Sequence, residues 1–324
     1  MTRFRSLVFV VLAALLLQSA PVVAEPPPYR IGVLTPGLTF DPVFDGFRDA
    51  LARFGYHDGK QVQFIVEDAQ GDVASLPQRA VRLVAHHPQL VFTVATAGAA
   101  AAKRATATIP IVFTWAGDPV GSGFVSGYSS SGNNLTGVSN ESASLSGKRL
   151  EVLAEADSRI TRVLAIVPAQ EDIALRCFQA LNEAAKRRGL HVLRKDVTSK
   201  EDIERVLRET PRGTFDAMAL IPSSLGVAHV KPLIQRAKAD RVPLAVHEDS
   251  MVEQGALLSF GSDFPTTGAQ AAKLAVKIFQ GAKPSELPIQ TPEKLRLAIN
   301  VTTAKIIGLK LPRSLTERAD QLVD

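Results

Sequence analysis

The sequence predicts an α/β protein made of two similar Rossmann-like lobes with parallel sheets, joined by a three-segment hinge. Short apolar runs rich in β-branched residues alternate with segments of helical length, which is the pattern of βαβ units. The alternation occurs twice along the chain. A further tail follows the second series, and it is long enough to cross between the lobes twice more. Three crossings would form a hinge about which the lobes open and close.

The first lobe begins after the proline-rich stretch 26–28. Its first strand is the buried run RIGVLT, and its first helix stops at Gly55, a residue suited to ending a helix. An alanine-rich helix directly follows the third strand. The predicted elements are strands at 30–35, 62–67, 90–95 and 111–114 and helices at 42–54, 76–86 and 97–107.

The second lobe repeats the first with a nearly constant spacing. Phe44 corresponds to Phe178, and Gly55 corresponds to Gly189. Its predicted strands are 163–167, 191–197, 217–221 and 243–247, and its predicted helices are 173–188, 202–209 and 227–239. The tail adds strands at 257–260 and 294–299 and helices at 267–280 and 303–309. We therefore predict an N-terminal lobe of 25–140 plus about 264–290 and a C-terminal lobe of 141–263 plus about 291–324, with the ligand cleft between them.

Residues 1–24 have the features of a secretory signal peptide. Arg3 and Arg5 precede the apolar run 7–17, and small residues at 22–24 predict cleavage after Ala24. The run is shorter than the ~20 residues of a membrane span. We expect an exported, periplasmic protein that is not embedded in a membrane, although an uncleaved, anchoring signal stays open as an alternative.

Composition excludes several classes of protein. Cys177 is the only cysteine, so disulfide frameworks and cysteine-rich zinc sites are excluded. Aromatic residues make up 6% of the chain, and the net charge is only +5, so a nucleic-acid partner is not expected. The histidines lack metal-ligand spacing. The sequence thus predicts neither a metal nor a cofactor, and a monomer is the default.

Recognisable catalytic motifs are also missing. The serines at 129–131 lack the glycine spacing of a nucleophile elbow, no Walker A loop is present, and Gly121, Gly123 and Gly127 do not form GxGxxG. We expect no enzymatic activity. An exported enzyme remains the alternative, because Ser223, Ser224, His247 and Glu248 could converge across one lobe.

Candidate ligand-binding residues come from the carboxyl ends of the strands, where open parallel sheets bind their ligands. The strand-end loops of two facing lobes would share one cleft. The candidates are Thr35, Gly37, Thr96, Ala97, Gly98, Trp115, Asp118, Ser139, Ser223, Ser224, Glu248 and Asp263.

Each prominent candidate also has a structural interpretation. Thr96 and the N–H groups after it could bind a carboxylate, or Thr96 could be an ordinary helix cap. Trp115 could stack on a ligand, or it could pack in the core or at the hinge. Glu248 could bind an amine, or it could favour the start of the next helix. Asp263 could face the cleft or cap a helix.

With these residues in view, the chain resembles the periplasmic substrate-binding proteins of ABC transporters related to the tryptophan-binding type, which have the type I periplasmic-binding-protein fold. The matching segments run along the whole chain after residue 30, and the GDPVGSG, GKRLE and IN–TAK–GL–P elements are specific in combination. The segments are IGVLTPG (31–37), FRDALARFGYHDGKQV (47–62), ATIPIVFTWAGDPVGSG (107–123), NLTGVS (134–139), LSGKRLEVL (145–153), LSFGSD (258–263), INVTTAKIIGLKLP (299–312) and ERADQLVD (317–324).

This resemblance implies a hinged binder that captures a small solute and delivers it to an ABC permease and its ATPase. By analogy with amino-acid-binding members, Thr96 would hold a carboxylate, and Glu248 or Asp263 would hold an amine. An aromatic or other apolar amino acid is the hypothesis for the solute. A sensor that presents its closed form to a membrane receptor is the alternative, because it would use the same closure.

Overall fold

Two separate β-sheets, each covered by helices, organise the protein. The computed structural model describes residues 27–37 and 40–324, together with the side chains of those residues except Ser224 and Ala228. The predicted signal peptide at 1–24 lies outside the described residues. Within them, no helix has the length and apolar character needed to cross a membrane.

The strands and helices follow the predicted alternation closely. The strands are β1 (Tyr29–Thr35), β2 (Val62–Asp68), β3 (Leu90–Val94), β4 (Ile111–Ala116), β5 (Leu135–Ser139), β6 (Arg162–Pro168), β7 (His191–Val197), β8 (Ala217–Leu220), β9 (Leu244–Val246), β10 (Leu258–Ser262), β11 (Leu295–Asn300) and β12 (Gln321–Val323). The helices are α1 (Asp41–Arg53), α2 (Leu76–Ala85), α3 (Ala95–Ala105), α4 (Ser142–Ala156), α5 (Asp172–Arg188), α6 (Lys200–Glu209), α7 (Ser224–Ala228), α8 (Val230–Asp240), α9 (Asp249–Glu253), α10 (Phe264–Phe279), α11 (Val301–Ile307) and α12 (Arg313–Glu317).

The first sheet, which with α1–α3 and α10 we call the N-terminal lobe, has the parallel order β2-β1-β3-β4-β5. Adjacent side chains along a strand point to opposite faces, so each strand contributes to two cores. In β1, Val33 packs with α1 and α10, whereas Leu34 packs with α2 and α3. On the first face, the rings of Phe47 and Phe92 stack with their centroids 4.0 Å apart.

The second sheet, which with the remaining helices we call the C-terminal lobe, has the order β12-β11-β10-β9-β8-β6-β7. Its strands also separate two cores. Val163 of β6 packs with α4 and α5, and Leu164 packs with α6 and α8. Both lobes are therefore three-layered, and the carboxyl ends of their parallel strands face each other across one cleft.

One strand departs from the predicted parallel arrangement. Strand β11 pairs antiparallel with β10, with Leu258 opposite Ile299 and Ser262 opposite Leu295. The chain leaves β10 at the hinge, enters the N-terminal lobe as α10 and returns at the same edge of the second sheet. Because β11 starts where β10 ends, it can only run in the opposite direction. The predicted parallel sheets are confirmed for the other strand pairs of the described residues, and β11 is the exception.

The hinge consists of three neighbouring crossings that hydrogen-bond to one another. The first passes through Asn140, the second through Asp263 and the third through Lys294. The Ser262 hydroxyl donates to the carbonyl of Asn140 over 3.2 Å. The Asp263 N–H donates to the carbonyl of Lys294, also over 3.2 Å. Glu141, just after the first crossing, has a left-handed backbone with φ +54°.

Helix α10 follows the second crossing and packs tightly on α1. Gly46 of α1 faces the backbone of Pro265, and Gly268 of α10 faces the backbone of Val43. At both glycines, an added Cβ would overlap backbone atoms of the other helix. The two glycines therefore permit a close crossing that fixes the hinge end of α10 on the N-terminal lobe.

Candidate ligand-binding site

A cavity of about 530 Å³ lies between the two lobes, at the carboxyl ends of their parallel strands. Its volume is within the range of about 300–1,000 Å³ that is usual for small-molecule sites. Both lobes contribute to its wall. The N-terminal lobe supplies Pro36, Gly37, Phe40, Gly71, Val73, Ala95, Thr96, Ala97, Ala100, Arg104, Trp115, Gly117, Ser122 and Phe124, Asn140 comes from the hinge, and the C-terminal lobe supplies Ser142, Glu171, Asp172, Ile173, Arg176, Pro222, Ser223, Val227, His247 and Glu248.

Helix α3 begins at the cavity without a side-chain cap. Val94 occupies the N-cap position, and its side chain has no atom that can accept a hydrogen bond, so the first N–H groups of the helix lack a side-chain cap. Ala95 adopts φ +66°, a strained conformation for a residue with a Cβ. The Thr96 hydroxyl accepts the Gly117 N–H over 3.2 Å, so it anchors the loop after β4. Exposed amide dipoles of this kind favour an anion.

Trp115 combines two of the roles that the sequence left open. Its side chain lines the cavity, yet only 6% of the residue is exposed. Its indole N–H donates to the Thr267 hydroxyl over 3.1 Å, and its ring lies edge-on to Phe264 with the centroids 4.2 Å apart. Trp115 also has φ +61°, and the register between β4 and β5 shifts beside it. The tryptophan thus connects the cavity wall to the first turn of α10, directly after the hinge.

On the opposite wall, Glu248 presents a carboxyl group that is nearly removed from water. The residue is 3% exposed, and burial raises the pKa of its carboxyl to about 7. Its carboxylate accepts a hydrogen bond from the Ser250 hydroxyl, over a long distance of 3.4 Å. Among the described residues, no positive charge compensates a carboxylate in this position, and a cationic ligand would supply one.

His247 lies beside Glu248 but does not neutralise it. Nε2 of His247 is 3.6 Å from Oε1 of Glu248. Burial, with a further contribution from the charge of Arg149, lowers the pKa of His247 to about 3, so the ring is neutral at neutral pH. Its Nδ1 is buried without a hydrogen-bond partner in the described part of the chain, as is Oδ1 of Asn140 at the hinge. Both atoms belong to residues that line the cavity, so a ligand could satisfy them.

Arg176 joins the two lobes over the cavity. It lies on α5, and its Nε is 3.0 Å from Oδ2 of Asp118 in the N-terminal lobe. Its Nη2 donates to the Ser122 hydroxyl, also over 3.0 Å. One turn earlier on α5, Ile173 approaches Gly117 so closely that a Cβ on the glycine would overlap the Ile173 side chain. These contacts place the cleft in a closed arrangement.

The structure brings six of the predicted site residues to the wall of one cavity and places the others around it. Gly37, Thr96, Ala97, Trp115, Ser223 and Glu248 line the cavity. Ser223 also caps α7, because its hydroxyl accepts the Gly226 N–H over 3.0 Å. Ser224 starts α7, but its side chain lies outside the described residues.

Several predicted site residues have structural roles instead of lining the cavity. The Thr35 hydroxyl accepts the Gly37 N–H over 3.0 Å. Gly98 lets α3 approach β3, since a Cβ would lie 2.5 Å from Oγ1 of Thr93. The Ser139 hydroxyl donates to the carbonyl of Ala116 over 3.1 Å. Asp118 reaches the cleft only through Arg176.

Asp263 caps helix α10 at the hinge, which is one of the two roles that the sequence left open for it. Its carboxylate accepts the Thr266 N–H over 3.0 Å and lies 3.1 Å from Nη1 of Arg296. Burial opposes its ionisation, but these hydrogen bonds outweigh burial and keep the pKa of Asp263 below its usual value. Of the two acids considered for an amine, Glu248 is therefore the one whose carboxyl group is available at the cavity.

Sequence reasoning missed the residues that α5 and the distal part of α3 bring to the cavity. Asp172, Ile173 and Arg176 follow β6, whose carboxyl end belongs to the same cleft edge as the strands that were considered. Applying the strand-end rule to β6 would have identified this segment. Arg104 and Phe124 carry no comparable signal, because they reach the cavity only through the packing of α3 and the loop after β4.

Comparisons with known proteins agree with this geometry. A tyrosine-binding protein of Clostridioides difficile is 25% identical over 272 residues, which cover 84% of this chain and 78% of the relative. A conserved domain protein of Vibrio cholerae is 27% identical, with a TM-score of 0.84 over 91% of this chain and 100% of that structure. An ABC domain from Streptococcus pneumonia in complex with L-Trp is 25% identical, with a TM-score of 0.84 over 92% and 100%.

More distantly related solute-binding proteins, whose structures contain a bound ligand, share this architecture. One such protein from Agrobacterium vitis, 14% identical, has a TM-score of 0.63 over 86% of this chain and 98% of its own. These likenesses confirm the expected type I periplasmic-binding-protein fold. The family model described as ABC transporter substrate binding protein matches residues 32–323, which is nearly all of the described chain. The chain therefore belongs to the ABC transporter substrate-binding protein family.

Proposed function

We propose that this protein captures an amino acid with an aromatic or other large apolar side chain and delivers it to the permease of an ABC importer. The observation that carries the proposal is the pairing of two opposite recognition groups in one cavity. The uncapped start of α3 faces it from the N-terminal lobe, and the buried carboxyl of Glu248 faces it from the C-terminal lobe.

The zwitterionic end of an amino acid complements both groups. Its carboxylate accepts hydrogen bonds from the N–H groups at Thr96 and Ala97, where the helix dipole favours negative charge. Its ammonium group pairs with Glu248 and compensates the cost of burying that carboxylate. Asn140 Oδ1 and His247 Nδ1, neither of which has a hydrogen-bond partner among the described residues, provide further polar contacts.

The remaining wall suits a large apolar side chain. Phe40, Trp115 and Phe124 supply aromatic surface from one lobe, and Ile173 and Val227 supply aliphatic surface from the other. Burying such a side chain yields about 25 cal/mol per Å² of apolar surface. The relatives described as binding tyrosine and holding L-Trp agree with this class of solute.

Capture works by closure of the two lobes. A solute that touches both lobes favours the closed arrangement over the open one, because it gains its full set of contacts only there. The three hydrogen-bonded crossings supply the axis, and the Arg176–Asp118 bridge closes the rim. In this account the protein acts outside the cytoplasm, as members of the family typically do, with residues 1–24 removed as a signal peptide after Ala24.

The same geometry supports binding without turnover. The hydroxyl of Ser223, a residue considered as a nucleophile, is engaged with the backbone, donating to the carbonyl of Ile221 over 3.2 Å and accepting from Gly226. His247 is too weak a base at neutral pH to activate a hydroxyl, because burial lowers its pKa to about 3.

A thermal-shift screen against amino acids, small carboxylates and nucleosides tests the proposal. A solute at ~100 times its Kd adds about 2.7 kcal/mol to the free energy of unfolding. For a chain of this length, that corresponds to an increase in Tm of a few degrees. We expect increases with large apolar amino acids and no product by mass spectrometry. A shift with nucleosides or carboxylates alone, or conversion of the solute, would contradict the proposal.

A further inference from the structure

Arg104 occupies an unusual place in the cavity wall. It lies in the last turn of α3, its side chain is exposed, and it lines the cavity. In the described part of the chain, no residue forms a hydrogen bond or an ion pair with its guanidinium group. Its neighbour Lys103 is different, because the Lys103 ammonium donates to the carbonyl of Phe124 over 3.1 Å.

The face of α3 that leads to Arg104 is lined with small residues. Ala97, Ala100 and Arg104 follow one another at helical spacings of three and four, and all three line the cavity. Alanine methyl groups leave room beside the helix. At 1.5 Å per residue, the backbone of Arg104 lies about 10 Å further along the axis than that of Ala97. An arginine side chain on a helix points back toward the N-terminus, which shortens this separation.

Two apolar residues border the same path. Phe124 is 6% exposed and lines the cavity next to α3, and Val73 lines it from the loop after β2. A side chain that extends from a head group held at the start of α3 therefore passes between apolar walls and ends near a guanidinium group. That group has five N–H donors and a fixed positive charge.

We propose that Arg104 determines specificity at the outer end of the solute's side chain, favouring an aromatic side chain that ends in a hydrogen-bond acceptor or a negative charge. The inference rests on the proposed function, since it assumes that the zwitterionic end lies at the start of α3. A charged donor that contacts an acceptor stabilises the complex more than a neutral donor does. A purely apolar end leaves the guanidinium in water and gains nothing from it.

Three amino acids of matched shape test the inference by calorimetry: L-phenylalanine, 4-carboxy-L-phenylalanine and 4-aminomethyl-L-phenylalanine. The protein is expected to bind the carboxyl compound up to about tenfold more tightly than phenylalanine and the ammonium compound more weakly. Arg104→Ala should bring the three affinities together, and Arg104→Glu should reverse their order.

Two further variants separate specificity from a structural effect. Arg53→Ala removes another exposed arginine from the last turn of a helix, away from the cavity, and should leave the order of affinities unchanged. Ala100→Leu narrows the path and should weaken the binding of all three compounds. The inference would be overturned if Arg104→Ala left the order of the three affinities unchanged. It would also be overturned if Arg104→Ala weakened the binding of all three compounds equally. Failure of every amino acid to bind would instead contradict the proposed function.

Discussion

Arg176 in the C-terminal lobe and Asp118 in the N-terminal lobe form an ion pair across the cleft, with Nε 3.0 Å from Oδ2. The loop that carries Asp118 is tied to the binding site, because the Gly117 N–H donates to the Thr96 hydroxyl. A solute at the start of α3 therefore contacts the same loop that Arg176 holds. The pair stabilises the closed arrangement without needing to contact the solute's head group.

Removing this pair should shorten the lifetime of the complex. Arg176→Ala is expected to raise the dissociation rate by up to about fivefold, because partly exposed ion pairs contribute about 0.2–1 kcal/mol. Stopped-flow fluorescence, with Trp115 as the reporter at the cavity wall, measures the rate. A double-mutant cycle with Asp118→Ala should show non-additive effects. Arg187→Ala on the same helix is the control, and equal dissociation rates for it and Arg176→Ala would contradict the prediction.

Binding should depend on pH through Glu248. Burial raises the pKa of its carboxyl to about 7 when the cavity holds no cation. An ammonium group binds the ionised form and lowers this pKa, so binding releases a proton at acid pH. Affinity should be full above about pH 7 and fall below it, by up to about tenfold per pH unit. His247 does not titrate in this range, since its pKa is about 3.

Calorimetry in buffers of different ionisation enthalpy counts the released proton directly. Glu248→Gln keeps the shape of the side chain but removes its charge, so it should bind more weakly and lose the pH dependence between about pH 5 and pH 8. A variant that retains the dependence of the unmodified protein would show that another group titrates with binding.

The start of α3 should be essential for affinity but not for folding. Thr96→Phe fills the cavity in front of the helix N-terminus and removes the acceptor of the Gly117 N–H. We expect a loss of affinity of at least about a hundredfold, since several charge-assisted hydrogen bonds of the carboxylate are lost. Circular dichroism should show an intact fold. Thr108→Phe, at an exposed threonine outside the cavity wall, should bind normally. Normal binding by Thr96→Phe would contradict the assignment of this wall.

The close crossing of α1 and α10 should make the stability of the protein sensitive to added side-chain volume at their contact. Gly268→Ala places a methyl group against the backbone of Val43, which cannot move without separating the helices. Overpacking of this kind typically costs about 1–3 kcal/mol. Thermal unfolding should show a lowered Tm, whereas Gly127→Ala, where nothing lies within 4 Å of the added Cβ, should not. Equal Tm values for the two variants would mean that the crossing tolerates extra volume.

Local patterns were sufficient to predict most of the secondary structure. The predicted strand at 30–35 is β1, and the predicted helix at 173–188 matches α5 with its end at Gly189, which has φ +68°. Helix α4 was missed for a physical reason. It buries small polar residues such as Ser142 and Ser146 as well as Leu145 and Leu150, so no single apolar face marks it in the sequence. Strand β5 is short and contains Gly137, which hid it in a glycine-rich segment.

The candidate site was predictable only in part: residues at strand ends could be predicted, whereas residues on helix faces could not. Residues placed by strand ends, such as Thr96 and Glu248, reach the cavity because parallel strands end at one edge. Arg104 and Arg176 reach it from helix faces, and Arg176 contacts Asp118 only because two lobes close on each other. No pattern within one lobe encodes that contact. The alternatives for Trp115 could not be separated from the sequence either, because the same side chain both lines the cavity and contacts α10.

The proposed function requires that the cavity recognise both charged groups of an amino acid. Titration calorimetry of the purified protein with L-tryptophan, tryptamine and indole-3-propionate tests it most directly, because the three compounds share a ring and differ in the carboxylate and the amine. L-tryptophan or another large apolar amino acid should bind, and the compounds lacking either charged group should bind at least about a hundredfold more weakly. Equal binding of all three compounds, or binding of no amino acid at all, would contradict it.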